Sequence, residues 1–322
     1  MATTLLLGGS GFLGSHLADR LITEGHHIVC IDNMITGQRS NIEHLIENPN
    51  FKLINQNITD KHWVIEPDID YVLHLASPAS PKDYIKYPTE TLLAGSVGTF
   101  NAVRFAQNHD AKLILASTSE VYGDPAISPQ REDYWGNVNP TGERSVYDEA
   151  KRFSESVVAA FRKYYGVDTR IVRLFNTFGT RMKLNDGRVI PNFAAQAFRG
   201  VPLTIYGDGS QTRSFTYVDD TVDGIWRMMQ HQPLVQSVPT PIPLVNLGNP
   251  DEVSILQVAE EIIELTNSKS ELIFKPLPED DPTRRKPDIS AARTMLGWSP
   301  KTSRVDGLKI IMPYFEALAY RS

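Results

Sequence analysis

The stretch TLLLGGSGFLGSHLADRLITEGHHIVCID, residues 4–32, contains the features that decide the fold. A short apolar run is followed by three regularly spaced glycines, Gly8, Gly11 and Gly14, and then by a segment with the periodicity of an amphipathic helix. Glycines in this position allow a tight turn and let the backbone approach a pyrophosphate at the helix N-terminus. A second apolar run ends on Asp32. The stretch therefore predicts a β-α-β unit that binds a dinucleotide.

Short apolar runs continue to alternate with helix-like segments beyond this unit. The runs are FKLINQN at 51–57, YVLHLAS at 71–77, KLILAS at 112–117 and TRIVRLFN at 169–176. They are too short for buried helices and rich in Val, Ile and Leu, which is typical of parallel strands covered on both faces. The pattern predicts an α/β fold, a Rossmann-type doubly wound parallel sheet with a smaller C-terminal substrate-binding region. We expect an NAD-binding domain over 1–175, a segment near 216–247 that returns to it, and a mainly substrate-binding region over 176–322.

The composition excludes several classes of protein. The chain has 322 residues, 41% of them hydrophobic and 22% charged, which is typical of a globular protein. Its net charge of −6 argues against a general nucleic-acid surface. The single cysteine, Cys30, lies in an apolar run and predicts a buried strand thiol. The first residues resemble neither a signal peptide nor a membrane anchor, so we expect a cytoplasmic protein with no membrane partner.

The position of Asp32 predicts the choice of cofactor. It lies 18 residues after Gly14, near the spacing of the acid that binds the adenosine ribose hydroxyls. A carboxylate there would repel the 2′-phosphate of NADP, so NAD is favoured. Arg39, slightly downstream, is a basic residue that keeps NADP open as an alternative. No His, Cys and carboxylate cluster has metal-ligand spacing, so no metal is expected.

Tyr147 and Lys151 in SVYDEAKR are the candidate catalytic pair. They lie four residues apart, so a helix would place them on the same face. One strand earlier, the hydroxyl-rich segment STSE, Ser117–Glu120, follows an apolar run, where open α/β sheets place their ligand crevice. A tyrosine can act as a base at neutral pH if an adjacent ammonium and the nicotinamide cation stabilise its phenolate. Lys151 would supply that ammonium.

These motifs resemble the extended short-chain dehydrogenase/reductase family that acts on nucleotide sugars, also called the NAD-dependent epimerase/dehydratase family. Longer strings resemble its UDP-glucuronate decarboxylase (UDP-xylose synthase) branch, a group of carboxy-lyases. The strings are HLASPASPKDY at 74–84, STSEVYGDP at 117–125, REDYWGNVNP at 131–140, FNTFGTRM at 175–182, NDGRVIPNF at 185–193, GDGSQTRSF at 207–215 and DDPTRRKPD at 280–288. Related dehydratases place an Asp where Ser119 stands, and typical UDP-galactose 4-epimerases lack a carboxylate matching Glu120.

The resemblance implies the reaction and a role for each matching residue. UDP-glucuronate would be oxidised at C4′, decarboxylated as a 4-keto intermediate and reduced to UDP-xylose, with NAD regenerated. The implied catalytic residues are Tyr147, Lys151, Thr118, Ser119, Glu120 and Arg285. The implied cofactor-binding residues are Gly8, Gly11, Phe12, Leu13, Gly14, Asp32, Asn33, Thr36, Gly37, Asn57, Tyr147, Lys151 and Thr177. The implied substrate-binding residues are Tyr84, Glu120, Asn176, Arg188, Arg213 and Arg285.

Two departures from the family pattern affect the ligand contacts. Asn57 stands where relatives usually have an Asp that accepts from the adenine amino group, and an amide oxygen accepts without charge assistance. Leu93 and Gly95 stand where relatives usually have Lys and Asn. A 4-epimerase, a 4,6-dehydratase and a non-catalytic NAD-binding regulator remain alternative functions. The resemblance also implies a homodimer.

Overall fold

A seven-stranded parallel sheet lies at the centre of the computed structural model, which describes residues 1–65, 67–232, 241–277 and 284–320. The strands of the described residues are β1 Thr3–Leu7, β2 His27–Ile31, β3 Phe51–Ile54, β4 Tyr71–His74, β5 Lys112–Thr118, β6 Thr169–Leu174, β7 Thr177–Phe178, β8 Leu203–Tyr206, β9 Thr212–Ser214, β10 Thr216–Tyr217, β11 Leu244–Leu247, β12 Glu252–Ser254 and β13 Leu272–Lys275. The central sheet has the order β11-β6-β5-β4-β1-β2-β3. The predicted doubly wound parallel sheet is therefore confirmed.

Helices cover both faces of this sheet. They are α1 Phe12–Thr23, α2 Pro81–Lys86, α3 Pro88–Leu93, α4 Thr99–Asn108, α5 Ser145–Tyr165, α6 Val189–Phe198, α7 Val218–Gln230, α8 Ile255–Thr266, α9 Ser290–Leu296 and α10 Arg304–Ala319. Apolar side chains of β1 illustrate the burial on both faces, because Leu6 packs in one core cluster and Leu5 and Leu7 pack in the other. Within the described ranges, no helix is long and apolar enough to cross a membrane.

The strand order reverses between β1 and β4, and this reversal positions the ligand crevice. Strands β1, β2 and β3 run to one side of the reversal, and β4, β5 and β6 run to the other. In open α/β sheets, ligands bind outside the carboxyl ends of the strands at such a switch point. The glycine turn follows β1 and the STSE segment covers the end of β5. Both predicted motifs consequently lie on the same edge of the sheet.

The C-terminal part of the chain builds small sheets beside this edge. Strand β9 pairs with β12, β7 with β10 and β8 with β13, while β11 returns to the central sheet beside β6. One buried core cluster joins the C-terminal helices to α1 and α7 on one face of the central sheet. Cys30 is confirmed as a buried strand thiol within it. The division into domains at residue 175 stays a prediction.

Helix α5 links the sheet to the catalytic pair. Its 21 residues include a buried face that carries Tyr147, Lys151, Ser154 and Val158. The helix ends where Gly166 adopts a left-handed conformation, φ 73°, which glycine accepts without a side-chain clash. The sequence thus builds a long, regular support that fixes the two catalytic candidates one turn apart.

Candidate active site

The glycine turn after β1 forms the floor of the predicted cofactor pocket. Gly8 has a φ of 87°, in the region that favours glycine. A Cβ on Gly14 would stand 2.1 Å from the Gly8 carbonyl oxygen, so only glycine allows α1 to pack this closely on the turn. The Ser10 hydroxyl in the turn is buried and lacks a hydrogen-bond partner. This turn, at the start of a helix, fits the pyrophosphate and ribose of a dinucleotide.

Seven of the predicted cofactor-binding residues line one pocket at this turn. They are Gly8, Gly11, Asp32, Asn33, Thr36, Gly37 and Asn57. The other four residues outside the catalytic pair are placed differently. Gly14 packs under the turn, Leu13 packs against the core, Phe12 makes an edge contact with His16, and the Thr177 hydroxyl donates to the Phe175 carbonyl oxygen. Their contacts with the cofactor stay predictions.

Asp32 is held as a hydrogen-bond acceptor at the end of β2. Its carboxylate accepts from the backbone N–H of Ser10 at 2.9 Å and of Met34 at 2.8 Å. Arg39, the basic residue that kept NADP open as an alternative, is exposed and pairs with Glu43 at 3.2 Å. We expect the Asp32 carboxylate to lie where NADP would carry its extra phosphate.

We predict that NAD binds at least tenfold more tightly than NADP, a difference of about 1.4 kcal/mol. The carboxylate of Asp32 would accept from the ribose hydroxyls of NAD but would repel the 2′-phosphate of NADP. Fluorescence titration of cofactor-free protein with each dinucleotide measures the ratio. Asp32→Asn removes the charge and should narrow the ratio, whereas equal affinities in the unmodified protein would remove this role from Asp32.

The two departures near the cofactor have different structural consequences. Asn57 uses its amide oxygen to accept from the Thr59 N–H at 3.0 Å, which closes a local turn. Gly95 lies in a π-helical turn, Ala94–Gly98, where a Cβ would stand 2.6 Å from the Ala150 carbonyl oxygen. An Asn at 95 would therefore force this turn away from α5. Leu93 lines the cofactor pocket.

Tyr147 and Lys151 lie together at the end of β5. Both are buried, and the Lys151 Nζ stands 5.9 Å from the centre of the Tyr147 ring and donates to the Ala116 carbonyl oxygen at 2.9 Å. Burial lowers the pKa of Lys151 to about 8, so the ammonium persists at neutral pH. Burial raises the pKa of Tyr147, whereas its hydrogen bond with Thr118 lowers it. The tyrosine needs a further positive charge to act as a base.

Tyr84 forms one wall beside this pair. Its ring stacks on the Tyr147 ring, with 5.3 Å between the centres and 8° between the planes. Burial raises the pKa of Tyr84 to about 12, so its hydroxyl keeps its proton. Ser80 starts α2 by accepting from the Asp83 N–H, which anchors the helix that carries Tyr84. The predicted substrate tyrosine thus borders the catalytic tyrosine.

Glu120, Arg144 and Arg285 form a buried cluster next to the tyrosines, which we call the arginine–glutamate cluster. Arg285 donates through both terminal nitrogens to the two Glu120 oxygens, and Arg144 donates to one of them at 2.5 Å. Burial alone would raise the pKa of Glu120, but the two guanidinium groups outweigh it and lower that pKa. The Nε of Arg285 is buried without a hydrogen-bond partner. Because two guanidinium groups face one carboxylate, the cluster has a net positive charge and is suited to bind a second carboxylate.

Sequence reasoning missed Arg144, although it lies only three residues before Tyr147. A basic residue in a polar loop is ordinarily solvated, and only the fold places its guanidinium against Glu120. By contrast, Arg284 and Lys286 are partly exposed and both pair with Glu252. These two flanking residues therefore form ion pairs outside the arginine–glutamate cluster.

The remaining predicted substrate-binding residues lie in the C-terminal region of the chain. Arg213 is buried on β9, and the hydroxyl of neighbouring Ser214 donates to the Arg285 carbonyl oxygen at 3.0 Å. Arg188 precedes α6, pairs with Asp186, and its positive charge lowers the pKa of Tyr147. Asn176 lies between β6 and β7 and accepts through its backbone oxygen from Thr216. Ser119 is buried beside Glu120. The substrate contacts of Arg213, Arg188 and Asn176 stay predictions, and so does the catalytic role of Ser119.

A buried network behind the STSE segment was also missed. Glu155 accepts from the Ser117 hydroxyl at 2.5 Å and from two nitrogens of Arg173. Arg173 also donates to the Tyr122 hydroxyl, which donates to Asn246 on β11. His74 hydrogen-bonds Thr99, and burial lowers its pKa to about 3, so it stays neutral as a packed strand residue. The network fixes the end of β5 from behind.

Comparisons with known proteins agree with this geometry. The model of the NAD dependent epimerase/dehydratase family matches residues 4–238. The chain is 47% identical over 311 residues to UDP-glucuronic acid decarboxylase 1 of Danio rerio, which covers 97% of this chain and 72% of that protein. It is also 47% identical over 307 residues to UDP-glucuronic acid decarboxylase 1 of Arabidopsis thaliana, with 94% and 67% covered.

Solved structures of the same architecture include nucleotide-sugar epimerases. A UDP-glucose 4-epimerase of Thermotoga maritima is 27% identical, with a TM-score of 0.86 over 98% of this chain and 99% of that one. A UDP-glucuronic acid 4-epimerase of Bacillus cereus, in complex with UDP-glucuronic acid and NAD, is 27% identical, with a TM-score of 0.84 and the same shares covered. The likeness extends over both the sheet and the C-terminal region.

Proposed function

Because this chain belongs to the NAD-dependent epimerase/dehydratase family, we propose that it converts UDP-glucuronate to UDP-xylose and CO2 with NAD as a regenerated cofactor. The observation that carries the proposal is the arginine–glutamate cluster beside Tyr147. Its two guanidinium groups carry one more positive charge than Glu120 neutralises, which suits the C6 carboxylate of a glucuronate. The relatives named UDP-glucuronic acid decarboxylase support the same substrate.

The glycine turn, Asp32 and Lys151 would hold the cofactor. NAD supplies the capacity to take a hydride from C4′ of the sugar and to return it, so the dinucleotide is not consumed. Lys151 keeps its ammonium at neutral pH and lies beside Tyr147. Tyr147 removes the C4′ hydroxyl proton, and Thr118 binds the same oxygen. Proton removal by a positioned side chain is general base catalysis.

Oxidation at C4′ prepares the sugar to lose its carboxylate. The ketone at C4′ stands one carbon from C5, which carries the C6 carboxylate, so the intermediate is a β-keto acid. When the C5–C6 bond breaks, its electron pair moves into the ketone and forms an enolate. Arg285 orients the carboxylate for this step, and Glu120 holds the guanidinium in place. C5 is then protonated and C4′ is reduced to give UDP-xylose.

The test is incubation of the purified protein with UDP-glucuronate and NAD, with CO2 and nucleotide sugars followed by mass spectrometry. We expect one CO2 for each UDP-xylose and no net NADH. Conversion to UDP-galacturonate without CO2 would instead establish a 4-epimerase, the second candidate that the Bacillus cereus neighbour favours. An absence of any product would favour the NAD-binding regulator.

We also propose that the chain works as a homodimer in the cytoplasm. Large apolar side chains on neighbouring elements support the dimer, because Leu92 on α3, Val97 in the π-helical turn and Phe153 on α5 are each at least 40% exposed. Contacts join α5 to α3 and to the turn, so these side chains lie on adjacent surfaces. Exposed apolar surface of this kind is typical of a subunit interface.

A further inference from the structure

Asp148 is a buried acid that the reaction described so far does not use. It follows Tyr147 on α5 and is 6% exposed. Its Oδ1 is buried without a hydrogen-bond partner, which is costly for a carboxylate and calls for an explanation. Arg144 lies one helical turn before it, so Asp148 is on the side of α5 that meets the arginine–glutamate cluster.

Charged groups from several elements influence the pKa of Asp148. Glu120 and Glu149 disfavour its charged form, and Arg144 and Arg285 favour it. Burial is the largest influence, followed by Glu120, and together they raise the pKa of Asp148 above the range of an ordinary aspartate. Tyr84 on α2 is also within electrostatic reach. Asp148 therefore retains a proton at a higher pH than an ordinary aspartate does.

On the proposed function, each turnover consumes one proton that Tyr147 does not supply. Replacement of a carboxylate by hydrogen, with release of CO2, requires one proton from outside the sugar. Tyr147 takes the C4′ hydroxyl proton during oxidation and must give it back when the ketone is reduced. A second donor must therefore reach C5 before the reduction.

The arginine–glutamate cluster and Tyr84 are poor proton donors for this step. The two guanidinium groups hold Glu120 in its ionised form, so it carries no proton. Guanidinium groups do not lose a proton in proteins, and Glu120 raises the pKa of Arg144 further. Tyr84 has a pKa of about 12. A protonated carboxyl group, by contrast, has an O–H that can be donated.

We propose that Asp148 is the acid that protonates C5 after CO2 has left. The electron pair of the enolate forms the new C5–H bond, the C4′ ketone is restored, and Asp148 becomes a carboxylate that takes a proton from solvent before the next turnover. Burial, the unpaired oxygen and the position beside the arginine–glutamate cluster all agree with a donor that serves one reacting atom.

The test compares Asp148→Asn with Glu149→Gln in single turnovers of UDP-glucuronate and NAD. Asparagine keeps the size of the side chain but has no acidic proton. We expect CO2 release close to that of the unmodified protein and UDP-xylose formation slower by roughly 10² to 10⁴, the scale for loss of a general acid. Glu149 is the neighbouring acid on the same helix, pairs with Arg152 and is 39% exposed, so its variant should form both products normally.

A structural role for Asp148 would give a different result. If CO2 release and UDP-xylose formation fell in parallel, or neither fell, the inference would be wrong. If the unmodified protein released no CO2, the proposed function itself would fail. If Asp148→Asn does not fold, as judged by NAD binding, the pH dependence of the unmodified protein tests the role of Asp148 instead. Its UDP-xylose step should slow as the pH rises through the raised pKa of Asp148 while CO2 release does not, and parallel slowing would overturn the inference.

Discussion

Tyr147→Phe is expected to slow sugar oxidation by roughly 10² to 10⁴ while NAD and UDP-glucuronate still bind. The phenyl ring keeps the stacking with Tyr84 at 5.3 Å but removes the hydroxyl that is bonded to Thr118 and would take the C4′ proton. Lys151 retains its bond to the Ala116 carbonyl oxygen, so the ammonium stays in place. Stopped-flow absorbance of NADH in a single turnover measures the oxidation step directly.

The matched control for this variant is Tyr164→Phe on the same helix. Tyr164 is 70% exposed, so loss of its hydroxyl should leave oxidation unchanged. The pH dependence gives a second readout. Because the pKa of Tyr147 is raised, the oxidation step should become faster as the pH rises toward that pKa, and the phenylalanine variant should lose this rise. Near-normal NADH formation in Tyr147→Phe would overturn the assignment of the base.

The fold could be predicted from the sequence because its signals are local. The glycine spacing, the short apolar runs and the helical spacing of Tyr147 and Lys151 each depend on neighbours in the chain. Parallel strands then meet at one edge, which brings the glycine turn after β1 to the STSE segment after β5. The position of Asp32 beside the glycine turn could be predicted in the same way, because it depends only on where β2 ends and on the number of residues after the turn.

The charge pattern of the site could not be predicted in the same way. Glu120 and Arg285 are 165 residues apart, and their pairing depends on how the C-terminal region folds back over the sheet. Arg144 and Asp148 lie within four residues of Tyr147, yet nothing in their spacing distinguishes buried groups from solvated ones. The departure at Gly95 could not be explained from the sequence either. Only the structure shows that a side chain at this position would collide with the backbone of α5 at Ala150.

Arg285→Lys is expected to separate oxidation from decarboxylation. Arg285 is 5% exposed and uses both terminal nitrogens on Glu120, while its Nε has no hydrogen-bond partner. A lysine has one compact ammonium and cannot hold two oxygens in a fixed plane. A cation that bound the carboxylate equally in the ground state and the transition state would not speed the loss of CO2. On the proposed function, the role of Arg285 is therefore to position the substrate.

We propose that this role is to turn the C6 carboxylate out of the plane of the new ketone, so that the breaking bond overlaps the carbonyl π system. Misplacement of a reacting group by about 1 Å can cost about 100-fold in rate, and we expect CO2 release to slow by at least that factor in Arg285→Lys. NADH should still form on mixing with UDP-glucuronate, because Tyr147 and Lys151 are unchanged. The variant should consequently accumulate reduced cofactor with the 4-keto acid.

Arg284→Lys is the matched control, since Arg284 is the adjacent arginine, is 56% exposed and pairs with Glu252 on the surface. Exposed ion pairs contribute little, so both steps should proceed normally in this variant. Stopped-flow NADH absorbance, paired with CO2 measurement on the same samples, follows the two steps separately. If Arg285→Lys loses neither step, the carboxylate is positioned by another group. If it loses both equally, Arg285 acts on substrate binding and the proposed division between oxidation and decarboxylation is wrong.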